Sequence, residues 1–447
     1  MKKNVDLLNG SIAGALTRLA LPIMATSFLQ MAYNLTDMIW IGKVGSDAVA
    51  AVGVAGMFIW LANGIAMIPR IGGQVKVGQS LGAEKEMEAA SYAKSAFQVA
   101  ITLGVLYGVL CFCFHHGLVE FFQMDNQQIV QDAEQYLMVT CGLVTISFMN
   151  QIFTGTWTAI GNSTVTLRAT LIGLSINLIL DPVLIFGIGP FPELGTLGAA
   201  IATVFAQLIV FVVFCVVSRR EKTVFMNMNH AFQIDWNKVK SILQVGFPAG
   251  FQNMMFTGIS MIVARMITSF GDAAIAVQKV GTQIESISWM TAEGFGTAVN
   301  ALIAQNHGAR QENRVDKGYR TAIIIMGAWG ILTSFVLIVF PEPLFRIFIQ
   351  EENVVPLGID YLRIVGYSQL FMCMELATAG AFQGLGKTLP PSISGITFTV
   401  IRIPLAYALA QTSLGLNGIW WAITISAIAK GVVLPIWFLK HRSKDNG

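Results

Sequence analysis

Charged side chains are scarce in this sequence. Asp, Glu, Lys and Arg make up 12% of its 447 residues, hydrophobic residues make up 54%, and the mean hydropathy is +0.64. Soluble domains carry about 25% charged residues, so this chain has too little polar surface to face water on all sides. The composition therefore excludes a soluble enzyme and indicates a protein embedded in a lipid bilayer.

Cysteine and histidine are also rare, and neither is clustered. None of the five cysteines forms a CxxC pair, so the sequence indicates neither a disulfide framework nor a zinc site. The five histidines fall near predicted helix ends or loops, which argues against an intramembrane metal enzyme. No basic tract points to nucleic acid. We expect no cofactor, no nucleic-acid partner, and no metal beyond a coupling cation.

Long apolar runs separated by clusters of Gly, Pro and charged residues predict membrane spans. At roughly 20 residues per crossing the chain has room for about a dozen, and we place them at 13–41, 48–70, 91–115, 135–157, 164–187, 196–218, 241–270, 275–303, 320–340, 357–384, 390–411 and 417–440. Lys and Arg accumulate in alternate loops and in the tail, which is typical of cytoplasmic segments. We therefore expect a multi-pass protein of the cell membrane with both termini in the cytoplasm.

An internal repeat relates the two halves of the chain. Four pairs of similar segments occur in the same order, each pair 225 or 226 residues apart, and they align Pro22 with Pro248, Asp47 with Asp272, Gly82 with Gly308, and Gly161 with Gly386. Because each half holds six spans, both halves enter the membrane from the same side. An axis along the membrane normal should relate them, with substrate bound between them.

These features predict an all-α integral membrane protein with twelve transmembrane helices. The helices form two pseudosymmetric six-helix bundles around a central cavity. Residues 1–218 form an N-terminal lobe, the basic stretch 219–240 a cytoplasmic linker, and residues 241–447 a C-terminal lobe. We expect the protein to be a monomer.

Acidic residues at membrane depth require an explanation, because each costs about 2.5–3.5 kcal/mol to insert near the bilayer centre. From the helical rise, Asp37 lies roughly 7 Å and Asp181 roughly 9 Å below the outer membrane surface. Asn177 lies one turn from Asp181 on the same helix face, and Thr203 reaches a similar depth in the sixth span. These four side chains form the predicted cation site. Two simpler interpretations remain: Asp37 reaches headgroup water, or Asp181 bonds backbone freed by Pro182.

Two neighbouring carboxylates in a low-dielectric pocket cannot both stay ionised, so one of them holds a proton. Alternatively, the carboxylates, the Asn177 carbonyl and the Thr203 hydroxyl supply oxygen ligands for Na⁺. Either cation neutralises the pocket and changes how the first helix packs. Pro22, in that helix, lacks an N–H and provides a place to bend, although a static kink is equally consistent.

Other polar side chains are candidates for contact with substrate in a central cavity. Gln30, Asn34 and Asp37 follow one another on one face of the first helix, and the stripe should face the bundle interior. Glu285 and Glu375 lie near mid-membrane, where they either face a cavity or bond a neighbouring helix. The candidate set is Gln30, Met31, Tyr33, Asn34, Glu285 and Glu375.

The second half lacks the acids of the first. The repeat offset places Ile262 or Val263 opposite Asp37. The likeness of LDPVL to RIPLA, which aligns Pro182 with Pro404, places Ile403 opposite Asp181. We therefore expect cation coupling at these positions to reside in the first half only.

Several segments together resemble the multidrug and toxic compound extrusion (MATE) family, in its DinF-like branch. They are LPIMATSFLQMAYNLTDMIWIGKVGSDAVAAVG (21–53), GQSLGA (78–83), AIGNS (159–163), NLILDPVLIFG (177–187), LGAAIAT (197–203) and AQNHGA (304–309). The resemblance implies two six-helix lobes that export organic cations, dyes and drugs against inward H⁺ or Na⁺. It also implies the following roles: a cation site for Asp37, Asn177, Asp181 and Thr203, and helix bending for Pro22. The NorM branch instead uses a glutamate in helix 7, where this chain has Phe256.

Three functions are compatible with a membrane protein of this kind. The first is a secondary active multidrug exporter, which would contribute to antibiotic resistance by exchanging cationic or amphipathic molecules for H⁺ or Na⁺ through alternating access. The second is a flippase or exporter of lipid-linked or amphipathic metabolites, which needs a cationic cavity. The third, a membrane enzyme with Asp37 and Asp181 as acid and base, has no Ser/His or metal-type cluster to support it. The deep basic candidates are Arg265, Lys279, Arg363, Arg402 and Lys430.

Overall fold

The computed structural model describes residues 4–122, 126–221, 223–225 and 233–445. Within these ranges the chain forms fifteen α-helices and no strand. They are α1 (Ile12–Val44), α2 (Ser46–Gly82), α3 (Glu86–Glu120), α4 (Gln127–Gly142), α5 (Thr145–Ala159), α6 (Ser163–Phe186), α7 (Gly195–Ser218), α8 (Trp236–Thr268), α9 (Asp272–Gly308), α10 (Glu312–Val339), α11 (Pro341–Arg346), α12 (Val355–Gly366), α13 (Gln369–Gly384), α14 (Leu389–Ala410) and α15 (Leu416–Asp445).

Each predicted span corresponds to one long helix or to one broken pair, which confirms the twelve-helix membrane fold. Eight helices are long and apolar enough to cross a bilayer by themselves, and α4 with α5 forms a ninth span that bends by 44°. The other three spans, α8, α9 and the pair α12–α13, are more polar because they carry charged side chains such as Glu285 and Glu375. The sequence analysis missed the two breaks and the short helix α11.

The internal repeat is visible in the backbone. Helices α2 and α9 each have 37 residues, and each is followed by a non-glycine residue with left-handed backbone, Glu84 (φ 59°) and Arg310 (φ 57°). Gly161 and Gly386, paired in the sequence, also share a positive φ, at 86° and 75°. The broken pairs α4–α5 and α12–α13 occupy the same place in the two halves. The pseudosymmetry predicted from the sequence is therefore confirmed.

The chain divides into two compact units that differ slightly from the predicted lobes. The first comprises the residues up to Val5 and Ala25–Gly250, and the second comprises Asp6–Met24 and Phe251–Gly447. The predicted division assigned each helix to a single lobe, whereas α1 and α8 each contribute one part to each unit. Residues 222 and 226–232 of the predicted linker lie outside the described residues, and α8 already begins within that linker at Trp236.

Local contacts explain both exceptions. The segment before α1 is held in the second unit, because Arg314 donates hydrogen bonds to the backbone carbonyls of Asn9 and Gly10. The first part of α8 is held in the first unit, because Gly246 lets its backbone approach the backbone of Ile68 in α2. In each case the helix changes unit two residues after a proline, Pro22 in α1 and Pro248 in α8.

Small residues set the spacing of the helices within each unit. In the second unit, Gly380 of α13 lies against the backbone of Gly296 in α9, and a Cβ at Gly380 would overlap the carbonyl oxygen of Gly296. Close backbone approach is the usual basis of helix association in membranes, where lipid is as apolar as the side chains.

Replacing Gly380 by alanine should therefore destabilise the second unit. Overpacking of this kind costs about 1–3 kcal/mol, so we expect the Gly380→Ala variant to melt at a lower temperature than the wild type in detergent micelles. Gly327→Ala is the matched control, since a Cβ there meets nothing within 4 Å. Equal melting temperatures for the two variants would contradict the packing described here.

Candidate cation site

Asp181 and Asn177 form the buried centre of a polar site in the first unit. Both side chains lie on α6 and are 1% exposed. The amide nitrogen of Asn177 donates a hydrogen bond of 2.7 Å to Oδ1 of Asp181, as expected for residues one helical turn apart. The other carboxylate oxygen, Oδ2, is buried and has no hydrogen-bond partner among the described residues. Asp181 thus keeps one acceptor free, and no bond joins it to the backbone near Pro182.

Asp37 presents a second free acceptor to the same site from α1. Its Oδ1 atom is buried and has no hydrogen-bond partner in the part of the chain that the structure describes. Asp37 lies close enough to Asp181 for the two charges to repel each other. Since the group is turned inward at this oxygen, the interpretation of Asp37 as a headgroup contact is not favoured.

Aromatic packing at the outer end of the site holds α1 against α6. The rings of Trp40 and Phe186 meet edge to face with their centroids 6.2 Å apart. Trp40 lies three residues after Asp37, and Phe186 lies five residues after Asp181. This contact, worth about 0.5–1.5 kcal/mol beyond its buried area, fixes the approach of the two helices that carry the acids.

Two tyrosines and a threonine complete the site. The hydroxyl groups of Tyr33 in α1 and Thr203 in α7 lie 3.2 Å apart, within hydrogen-bond distance. Tyr136 in α4 is 4% exposed, interacts with the Thr203 hydroxyl, and feels the charges of both Asp37 and Asp181. The structure therefore brings together all four residues of the predicted cation site, with side chains from four helices.

Tyr136 is the member of the site that the sequence analysis missed. One signal for it was present, because Tyr361 lies 225 residues further on, at the same position of the repeat. A polar aromatic residue recurring in both halves at mid-span marks a position that is turned toward the interior of each unit.

The remaining candidates on α1 do not join this site. Gln30 and Asn34 are exposed, so they are not buried beside Asp37 as a continuous polar stripe would require. Met31 is partly buried. Pro22 lies inside α1 but in the part of that helix that belongs to the second unit.

Glu285 and Glu375 bond to neighbouring helices of the second unit. Glu285 in α9 accepts hydrogen bonds from Tyr361 (3.2 Å) and from Gln369 (3.1 Å). Glu375 in α13 forms an ion pair with Lys430 of α15 at 3.1 Å, with both side chains about nine-tenths buried. Of the two possibilities left open by the sequence, the structure shows the contact with a neighbouring helix for both acids.

Close backbone contacts correct the alignment of α6 with α14. A Cβ at Gly198 would lie 2.5 Å from the carbonyl oxygen of Leu184, and one at Gly418 would lie 2.5 Å from that of Leu409. Leu184 and Leu409 are 225 residues apart, so the alignment of Pro182 with Pro404 is wrong. With the corrected offset, Asp181 is opposite Ala406, not Ile403, and Asn177 is opposite Arg402.

Comparison with known families agrees with this register. The MatE family model matches the chain twice, at residues 22–183 and 248–408. The chain belongs to the MatE family. The two matches correspond to the two repeats and together cover well over half of the sequence. MATE proteins are transporters, so the protein is a membrane transporter.

The relatives of this MATE transporter match it over nearly its full length. A "Probable multidrug resistance protein NorM" from Thermotoga maritima is 28% identical over 433 residues, which cover 96% of this chain and 92% of that protein. A "Probable multidrug resistance protein YpnP" from Bacillus subtilis is 26% identical, with 99% and 98% covered. An "FAD transporter" from Shewanella oneidensis is 25% identical, with 97% and 95% covered.

Solved MATE structures share the fold. One described as the outward-facing conformation of a multidrug resistance MATE family transporter superposes with a TM-score of 0.90 at 23% identity, with 99% of both chains covered. Another, described as MATE in the bent conformation, has a TM-score of 0.91 at 22% identity, covering 99% of this chain and 98% of that one.

Tyr136 provides a test of the site geometry. Removing its hydroxyl in Tyr136→Phe deletes a neutral hydrogen bond worth about 0.5–1.5 kcal/mol. We therefore expect the cation concentration for half-maximal transport to rise about 2- to 12-fold, as measured in proteoliposomes. Tyr407→Phe, at a side chain that is 63% exposed, is the control. An unchanged cation dependence in Tyr136→Phe would exclude Tyr136 from the site.

Proposed function

We propose that this MATE transporter is a secondary active multidrug exporter. It exchanges cationic or amphipathic small molecules, such as drugs and dyes, for H⁺ or Na⁺ that enters the cell. The proposal places it as a monomer in the cell membrane with both termini in the cytoplasm, because basic residues accumulate in alternate loops. Relatives named as multidrug resistance proteins support the substrate class.

One observation carries the proposal. Two acidic side chains, Asp37 and Asp181, share a buried site, and each keeps a carboxylate oxygen without a partner. Among the described residues, no basic side chain pairs with either acid. A pair of carboxylates in a low-dielectric site is costly unless a positive charge joins it. A transported H⁺ or Na⁺ is the charge that fits.

Cation binding can then be coupled to a change of conformation through α1. The acid Asp37 lies in the part of α1 that belongs to the first unit, and Pro22 lies in the part that belongs to the second. Neutralising the site removes the repulsion between Asp37 and Asp181, and α1 bends near the proline, which lacks one backbone hydrogen bond. Moving one charge through 100 mV supplies about 2.3 kcal/mol to this cycle.

The donor set favours neither ion outright by its chemistry. For H⁺, one carboxyl holds the proton and the other oxygen accepts it. For Na⁺, both carboxylates, the Asn177 carbonyl and the Thr203 hydroxyl are oxygen ligands of the kind that a hard cation prefers. We favour H⁺, because Asn177 turns its amide nitrogen toward Asp181 and so offers a donor, not an acceptor, at that oxygen.

Dye efflux under imposed gradients tests this function. In inverted vesicles, an inward-directed pH or Na⁺ gradient is applied separately, and efflux is followed by fluorescence. We expect Asp37→Asn and Asp181→Asn to reduce gradient-driven transport by about 5- to 150-fold, the usual range for coupling between sites. Glu351→Gln, at an exposed acid, is the control and should transport like the wild type.

The outcome decides both the coupling and the ion. Transport that an uncoupler abolishes and that needs no Na⁺ assigns H⁺, whereas transport that needs Na⁺ and resists the uncoupler assigns Na⁺. Gradient-driven efflux by Asp37→Asn at the wild-type rate would refute the role of the acid pair.

A second candidate substrate class is an endogenous metabolite. The relative named as an FAD transporter matches this chain over 97% of its length. A flippase of lipid-linked sugars, by contrast, needs many deep basic residues, yet Arg265, Lys279 and Arg363 are exposed.

A further inference from the structure

Arg402 of α14 is a buried cation whose terminal nitrogens have no protein partner. The side chain is 6% exposed, and its Nε donates a hydrogen bond of 3.0 Å to the hydroxyl of Ser426 in α15. Within the described ranges, neither η nitrogen forms a hydrogen bond and no acid forms an ion pair with the guanidinium. An unpaired guanidinium at membrane depth is costly, and such residues commonly mark binding sites.

The acids nearest to Arg402 are already engaged elsewhere. The carboxylates whose charges act on it are Glu375 and Glu285. Glu375 is paired with Lys430 at 3.1 Å. Glu285 accepts hydrogen bonds from Tyr361 and Gln369. Together the two acids and two bases balance the charge of the second unit, but they leave the hydrogen-bonding end of Arg402 vacant for another group.

Two residues of α8 lie beside Arg402 in the same unit. The Arg402 guanidinium lies over the ring of Phe256, 5.9 Å from its centroid. One turn earlier, the Gln252 side chain lies directly over Gly395, where any Cβ on α14 would collide with it. Thr399 and Arg402 continue the same buried face of α14. Because the ring covers one face of the guanidinium, its in-plane N–H groups remain available, as a bidentate carboxylate requires.

The corrected repeat register shows that the two units differ in polarity here. Arg402 occupies the position equivalent to Asn177, and Tyr361 the position equivalent to Tyr136. In the first unit this position orients a carboxylate that lacks a counter-charge. In the second unit it carries a fixed positive charge, and Phe256 replaces an acid with an aromatic surface. The first unit is built for a cation, and the second offers a donor pair to an anion.

We propose that Gln252, Phe256 and Arg402 form a binding site for the carboxylate of an aromatic organic acid. The carboxylate accepts two hydrogen bonds from the η nitrogens of Arg402, Gln252 donates to it from its amide, and the aromatic part of the ligand packs beside Phe256, which is 45% exposed. Export of such an acid rests on the proposed function, whereas its binding does not. The substrates then include zwitterions and organic anions as well as cations.

Binding to the purified full-length protein in detergent tests the site. The probe is 1-naphthoate, followed by calorimetric titration, with 1-naphthylmethylammonium as the cation of similar shape. We expect the acid to bind, and Arg402→Gln to weaken it by at least about tenfold, as for the loss of hydrogen bonds to a charged group. Arg265→Gln, at an exposed arginine of the same unit, should bind like the wild type. The ammonium probe should not displace the acid.

A second pair of variants keeps Arg402 in place, so the result does not depend on the folding of Arg402→Gln. Phe256→Glu puts a tethered carboxylate against the guanidinium, and Phe256→Gln is its neutral counterpart. We expect the glutamate variant to bind 1-naphthoate at least about tenfold more weakly than the glutamine variant. Equal affinities for these two variants, or wild-type affinity in Arg402→Gln, would overturn the proposal.

Competition identifies the kind of anion. Acetate and chloride should displace 1-naphthoate only at far higher concentrations than benzoate does. Displacement by chloride at the same concentration as benzoate would refute an aromatic acid and leave a site for small inorganic anions. Efflux of a cationic dye in the same preparations tests the cation site separately: it should fail in Asp37→Asn, whether or not 1-naphthoate binds.

Discussion

The uncompensated negative charge of the first unit is the constraint on which this account depends. Asp37 and Asp181 are brought together on α1 and α6 with an unpartnered oxygen each, and no basic side chain among the described residues pairs with them. Hydrophobic packing can bring these helices together, but it cannot satisfy the two oxygens. The fold thus contains a position that is complete only when a small cation is bound, which links ion concentration to the packing of α1.

The division of α1 and α8 between units gives that link a mechanical route. Each helix begins in one unit and ends in the other, and each changes unit two residues after a proline, at Pro22 and Pro248. A change at Asp37 is therefore transmitted along a helix whose other end is anchored elsewhere. The second unit lacks a matching cation site, because Arg402 and Lys430 already balance Glu285 and Glu375.

Much of this arrangement could be predicted from the sequence, because bilayer insertion imposes simple rules. Span length, the repeat offset and the cost of buried charge led to the twelve helices and to Asp37 and Asp181. The rest depends on tertiary packing. Tyr136 joins the site only because α4 bends into α5, and the register of α14 follows from Gly418 meeting Leu409, not from the prolines. The pairing of Glu375 with Lys430 likewise needs two helices in contact.

The most direct test of the central claim observes the carboxyl groups themselves. Infrared difference spectra of the purified protein, recorded across a pH titration and across a Na⁺ titration, report protonation or cation contact at individual carboxyl groups. The account predicts one band that changes with H⁺ or Na⁺ in the wild type and is lost in both Asp37→Asn and Asp181→Asn. Spectra of these two variants that match the wild type would contradict it.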